Sequence, residues 1–338
     1  MPWKLRSAVS AGLAIAVSLT FAATAAADGL PVPFDAADNA GVTLPDHPYS
    51  YATAGAGGDT AVIQTSRDTG EIKTSTELRG TYGVPLVAYD GTPSGLSGDG
   101  ETLVLIKPRT RFPRAETSFA VLATERMRVV DEITLEGDFS FDALSPDGET
   151  MYLIRYSDPR DPTQYEVRAY DLERGRLLPE PIVDPNESAE EMAGFPQTRA
   201  VGPGGRWAYT LYARAERHHP PFVHALDTER GTAVCIDLDL LADERRIDLV
   251  SVLPSSDGRS LGISSRGTPL ASVDLASFEV QAAAAPAGEP TPAGDDDDPM
   301  AWALVALGAG LLGAVALAVT MMRRRRARQI FHDELERA

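Results

Sequence analysis

Apolar residues in the middle of this chain fall in short runs divided by Asp-Gly or other glycine-containing turns, which predicts strands and hairpins rather than helices. One phrase recurs: Leu96-Ser-Gly-Asp-Gly-Glu-Thr-Leu-Val-Leu-Ile106 returns as Leu144-Ser-Pro-Asp-Gly-Glu-Thr-Met-Tyr-Leu-Ile154. Val201 to Leu211 and Leu253 to Ile263 are weaker echoes. A tight turn between two apolar runs is a hairpin signal, and its return at a steady interval signals a repeat architecture. The marker glycines Gly100, Gly148, Gly205 and Gly258 stand 48, 57 and 53 residues apart. Between them lie further strand pairs: Ser118 to Thr124 with Arg128 to Leu135, Tyr165 to Asp171 with Arg176 to Leu178, and Phe222 to Asp227 with Thr232 to Leu238. Pro269 to Asp274 with Phe278 to Val280, and Thr60 to Thr65 with Glu71 to Leu78, extend the series to both sides.

Each repeat therefore supplies an inner strand ending at the marker turn, a second strand after it, and an outer hairpin. A four-stranded sheet cannot bury both faces alone, so such units stack side by side as blades. The expectation is an all-β β-propeller of about five four-stranded blades, followed by one C-terminal transmembrane helix. Four blades are regular; a fifth, Leu30 to Leu78, is not, and six is the competing count. Tandem β-sandwiches would predict no shared phrase at this interval.

Ser-Pro-Asp-Gly followed by an apolar strand, then a strand ending in Asp and a Gly-containing turn, resembles the bacterial TolB-like and YVTN-type propeller repeats, which are WD-repeat-like. The matching stretches are Ser97 to Ile106, Ser145 to Ile154, Val167 to Gly175 and Val223 to Gly231, within a likeness running from Ala61 to Val280. The resemblance implies blades, and proteins that mostly bind other proteins or envelope components, with a minority of enzymes. Gly202-Pro-Gly-Gly205 departs from it by lacking the Asp.

The chain ends predict a location. Lys4 and Arg6 precede an apolar stretch and Ala25-Ala26-Ala27, the pattern of a secretory signal peptide over residues 1–27. An exported domain over 28–281 and an Ala/Pro/Asp-rich stalk over 282–299 follow. Residues 300–322 are apolar and uncharged, long enough at roughly 1.5 Å per residue for one bilayer crossing. Arg323 to Arg326 open a basic tail over 323–338, while Asp295 to Asp298 precede the span. The positive-inside rule then gives a single-pass cell-membrane protein, its N-terminal domain outside and its tail cytoplasmic.

The chain carries 49 acidic residues against 31 Lys and Arg, which argues against a nucleic-acid partner. Cys235 is the only cysteine and sits in the apolar run Val234-Cys235-Ile236, where a small buried hydrophobe is the expected role. Against this acidic background, the loops joining second and third strands are basic. They hold Lys107, Arg109, Arg111, Arg114, Arg155, Arg160, Arg214, Arg217 and Arg266. If those loops share one rim, Arg109, Arg111, Arg160, Arg214 and Arg217 would meet an anionic cell-wall component or an acidic envelope protein.

A second constellation is Asp90, Asp138 and Asp248, each ten residues before a marker glycine, with Phe195 at the fourth position. A ring of carboxylates there would suit a divalent ion, or the acid and base of a hydrolase or lactonase-type enzyme. An Asp in a turn ahead of a strand is the plainer reading. His218, His219 and His224 match no zinc spacing, and neither a cofactor nor a metal is expected. The function predicted is a binding or scaffolding module, the carboxylate enzyme being the alternative.

Overall fold

The computed structural model describes residues 36–37, 41–186, 192–214, 219–244 and 246–283. The signal peptide, nearly all of the stalk, the membrane span and the tail lie outside the described residues. Among the described residues no helix is long and apolar enough to cross a membrane.

Five antiparallel sheets follow one another along the chain, each a meander of neighbouring strands. Sheet I pairs Gly41–Thr43, Tyr49–Ala56, Asp59–Ser66 and Ile72–Leu78. Sheet II has three strands, Thr102–Ile106, Glu116–Ala123 and Arg128–Glu136. Its inner edge is an irregular segment that touches the sheet through the bridges Gly83 to Ile106 and Leu96 to Leu103. Sheet III runs Phe139–Leu144, Thr150–Tyr156, Gln164–Asp171 and Arg176–Ile182, with Met192–Ala193 added beside Gln164–Asp171. Sheet IV runs Phe195–Val201, Trp207–Ala213, Phe222–Asp227 and Thr232–Asp237; sheet V runs Val250–Pro254, Ser260–Ser265, Thr268–Asp274 and Val280–Ala282. A short pair, Ala36–Ala37 with Val84–Pro85, completes the strands.

The repeated phrase has a local cause. In three units the serine hydroxyl donates to the aspartate two residues on: Ser97 to Asp99 at 2.5 Å, Ser145 to Asp147 at 2.5 Å, Ser255 to Asp257 at 2.6 Å. The same serine oxygen accepts the amide of Thr102, Thr150 or Ser260, which closes the turn onto the next strand. Gly148 then takes φ +71°, and an added Cβ would lie 2.5 Å from Thr102 Oγ1 of sheet II. Glycine is needed there for backbone sign and for space alike. The fourth turn, without its Asp, makes a short 3-10 helix, Pro203–Gly205.

The strands explain how the sheets stack. Leu103 and Leu105 pack with Val42, Tyr51 and Val62 of sheet I, while Val104 and Ile106 pack with Phe139, Met151 and Leu153 of sheet III. A run that is apolar at every position is buried on both faces. Further clusters join III to IV (Tyr152, Ala169, Leu226) and IV to V (Leu211, Val223, Val252, Ile263). Consecutive meanders of three or four strands packed face to face in chain order are β-propeller blades, and the sandwich alternative is set aside.

The inner edges of sheets II, III and IV converge. The amides of Tyr89 and Asp90, ahead of sheet II, donate to the carbonyls of Pro196 and Gln197 in the inner strand of sheet IV, at 2.9 and 3.1 Å. At the marker turns, the Asp99 amide donates to Pro146 of sheet III at 2.9 Å. A Cβ on Gly98 would stand 2.9 Å from the Gly204 carbonyl of sheet IV.

Candidate functional site

The convergence leaves a cleft at the end where the inner strands begin. Leu86 and Val87 come to it from unit II, Ser140, Phe141, Asp142, Ile154, Tyr156 and Tyr165 from sheet III, and Phe195, Pro196 and Tyr212 from unit IV. Ring contacts cross the units here. Phe112 meets Tyr156 edge-on at 5.3 Å, Tyr156 meets Tyr165 at 6.4 Å, and Tyr165 meets Tyr212 at 5.8 Å. Tyr89 meets Phe195 at 6.0 Å.

One charged group stands among these rings. The register of the inner strand of sheet III shifts between Phe141 and Ala143, making Asp142 the extra residue of a β-bulge. The bulge lets Ala143 face sheet IV although Phe139 and Phe141 face sheet II. Arg199, from the inner strand of sheet IV, holds Asp142 in place. Its Nη1 donates to the Asp142 carbonyl at 2.5 Å, its Nη2 to Asp142 Oδ1, and its Nε to Thr210 Oγ1 at 2.7 Å. Both charged side chains are 2 % exposed. Asp142 Oδ2 and the Tyr165 hydroxyl are buried and have no hydrogen-bond partner among the described residues. Burial raises the Tyr165 phenol well above its ordinary pKa, helped by the Tyr212 hydroxyl, and raises Tyr212 likewise. Both stay protonated across the physiological range.

Behind Tyr212, in ring contact at 6.4 Å, His224 is 1 % exposed and neither ring nitrogen has a hydrogen-bond partner among the described residues. Desolvation pulls its pKa down to about 4. It therefore sits as a neutral histidine within the core.

The residues singled out from sequence are distributed differently from the expectation. Arg109, of the basic loops, and Asp138, of the expected carboxylate ring, form one ion pair: Nη2 to Oδ1 at 2.7 Å, Nε to both oxygens at 3.1 and 3.2 Å, with side chains 4 % and 2 % exposed. Arg109 also donates to Ser140 Oγ at 2.9 Å and lies over the Tyr156 ring at 5.1 Å. The Arg114 amide adds a bond to Asp138 Oδ2 at 2.9 Å. Arg109 is thus a strut between sheets II and III and not an exposed rim cation. Arg214 donates to Asp237 at 3.0 Å and to the Pro220 carbonyl at 3.2 Å, and lies over Phe222. Arg111 and Arg160 are exposed and form no ion pair among the described residues. Arg217 and His218 lie outside the described residues.

The carboxylate ring does not assemble. Asp90 is exposed and caps its own turn, accepting the Thr92 amide at 2.9 Å and hydroxyl at 2.6 Å. Asp138 is held by arginine. Asp248, half exposed, pairs with Arg246 at 2.7 and 2.8 Å, and that hydrogen bond holds its carboxyl below the usual range. Among the described residues no group of three or more His, Cys, Asp or Glu could hold a metal ion. Cys235 is half-buried on its strand, its amide donating to Asp184 Oδ2 at 2.9 Å.

Asp142, Arg199 and the tyrosine pair escaped the sequence reading. A signal existed: one Asp inside Phe-Ser-Phe-Asp-Ala-Leu, and one Arg inside the next inner strand, are charges where strands are otherwise buried.

No family model matches this chain, and no curated protein matches it. Solved structures align with it at low identity. TolB from Acinetobacter baumannii is 13% identical over 69% of this chain and 51% of that one, with a TM-score of 0.37. The β-propeller domain of Myceliophteria thermophila Cps50 (Swd1) is 8% identical over 80% and 70%, with a TM-score of 0.42. Hydrazine synthase of Kuenenia stuttgartiensis is 13% identical over 74% of this chain and 66% of that chain, with a TM-score of 0.44. At such scores the blade assignment rests on the chain's own strand pairing and core contacts.

Proposed function

We propose that this chain is a binding or scaffolding module, exported and membrane-anchored, which presents the cleft end of its blade stack to an anionic envelope component or an acidic protein partner. The observation that carries this reading is the placement of Arg111 and Arg160. Among the described residues they are exposed and without an ion pair, Arg111 on the link from Thr102–Ile106 to Glu116–Ala123 of sheet II and Arg160 on the link from Thr150–Tyr156 to Gln164–Asp171 of sheet III. In an up-and-down meander those links leave at the same end as the lead-in to the inner strands. The Arg109–Asp138 contact, from such a link to such a lead-in, supports that placement. Exposed arginines in an otherwise acidic chain select anionic surfaces and speed encounter with them.

The hydrolase alternative loses its footing at Asp138. A carboxylate whose oxygens are taken by Arg109 and the Arg114 amide is poorly placed to move a proton.

The test is charge reversal. A photo-crosslinker placed beside Arg160 in the native envelope should capture a defined partner. Arg111→Glu with Arg160→Glu should lower the yield at least fivefold while leaving the melting temperature unchanged. An undiminished yield would reject the reading.

A further inference from the structure

We infer that the marker-turn end of the blade stack, opposite the cleft, is a docking face for a basic polypeptide segment in which Lys or Arg flank one aromatic or leucine anchor. The marker turns of sheets II, III, IV and V converge there. The Asp99 amide of the second donates to the Pro146 carbonyl of the third at 2.9 Å. A Cβ on Gly205 would stand 3.0 Å from Gly98 Cα, and a Cβ on Gly258 would lie 3.7 Å from Pro203, so the fourth turn touches the second and the fifth.

The fourth turn is the exception to the repeat, Gly202-Pro-Gly-Gly205 in place of Ser-x-Asp-Gly. It is apolar and open. Val201, which ends the inner strand, is 50 % exposed, Pro203 is exposed, and nothing lies within 4 Å of where a Cβ on Gly204 would be. Leu253, next to last in the inner strand of sheet V, is 73 % exposed, because Val252 takes the side that faces sheet IV. Ala200 and Val252, the chain neighbours of the two exposed side chains, pack in one cluster, which holds Val201 and Leu253 at the same end. Large apolar side chains left open together mark an interaction surface.

Charge selects the partner. Asp99, Glu101, Asp147 and Glu149 are exposed around the turns of sheets II and III and form no ion pair among the described residues. The arginines of this end are engaged: Arg206 with Asp227 and Glu229, and Arg259 at 3.9 Å from Asp257. An apolar centre inside a polar rim is the anatomy of a protein interface. With an acidic rim, anionic lipid, nucleic acid and acidic peptides are repelled, and a segment carrying Lys or Arg around its anchor is drawn in. This face lies at the other end from the arginines of the binding reading above, and each stands without the other.

Fluorescence anisotropy with the full chain in zwitterionic nanodiscs compares three labelled peptides, Lys-Lys-Trp-Lys-Lys, Lys-Lys-Ala-Lys-Lys and Glu-Glu-Trp-Glu-Glu. The first should bind, the second about tenfold more weakly, and the third not at all. Val201→Ser with Leu253→Ser should weaken the first by about tenfold. Glu101→Gln with Glu149→Gln should weaken it by about fivefold and flatten its salt dependence at an unchanged melting temperature. Asp99 and Asp147 are left in place because each holds its own turn. Should the serine variant fold poorly, the peptide series on the unaltered chain still decides. No binding of the Trp peptide, equal binding of all three, or indifference to the glutamine variant would each overturn the inference. So would a chain that sediments as a dimer and becomes a monomer in Leu253→Ser, since a second copy would then cover the face.

Discussion

Arg109 and Asp138 lie on different blades and meet in a two-pronged ion pair that is almost wholly shielded from water. The contact ties the link between Thr102–Ile106 and Glu116–Ala123 of sheet II to the start of sheet III. It also removes one candidate cation and one candidate carboxylate from the solvent-facing surface.

Removing Asp138 should cost more than removing Arg109. Asp138→Ala leaves the buried Arg109 charge unpaired and should lower stability by about 3–5 kcal/mol, whereas after Arg109→Ala the Arg114 guanidinium, 3.3 Å away, still pairs with Asp138 and the loss should be smaller. The double variant should lose clearly less than the sum. Urea unfolding of the four proteins measures the coupling, and simple additivity would show that the pair is not formed.

The marker turns offer a matched comparison. Gly148 and Gly204 both take positive φ, +71° and +74°, but only Gly148 has a neighbour in the path of a Cβ. Gly204→Ala should cost about 1 kcal/mol for the backbone alone. Gly148→Ala should cost at least twice as much, because Thr102 must move. Similar losses would mean that sheets II and III do not approach closely at this turn.

Acid sensitivity should trace to His224. Its folded-state pKa, about 4, lies below the ordinary 6.5. Between those values the unfolded chain binds a proton that the folded chain does not, so stability is full above about pH 6.5 and falls as the pH drops toward 4. The loss attributable to this residue by pH 4 should be about 3 kcal/mol. The Asp147 carboxyl is held below the usual range by the Ser145 hydroxyl, a shift of the same direction in a lower pH window. Its contribution is present above the unfolded carboxylate pKa and is lost only at lower pH, so the two windows separate. Melting temperatures of the natural chain and His224→Leu should converge in slope between pH 7 and pH 6.5, then diverge below. Parallel curves down to pH 4 would contradict a buried neutral histidine.

The sequence was most legible where chemistry is local. Phe222–Asp227 was expected with those bounds, and Thr60 onward was placed as the third strand of its blade, as Asp59–Ser66 is in sheet I. Ser-x-Asp-Gly turns build themselves from hydrogen bonds within five residues, so they can be read from the chain alone. The cleft could not be read this way. Asp142 faces Arg199 only because a bulge adds one residue to its strand, and 57 residues separate the two. The same limit applied to Arg109, whose composition suggested solvent while its reach of 29 residues led to a buried carboxylate. Loop charge says which residues are near an opening; only tertiary packing says which of them are already spent.

The claim on which the rest depends is that the inner edge of unit II lies against the inner strand of sheet IV, closing the floor on which Asp142 and Arg199 meet. Amide hydrogen exchange at Tyr89 and Asp90 tests it directly, since their amides donate to Pro196 and Gln197. Protection comparable to that of the core strand Trp207–Ala213 is the predicted result. Exchange at the rate of an open loop would contradict the convergence, and with it the cleft.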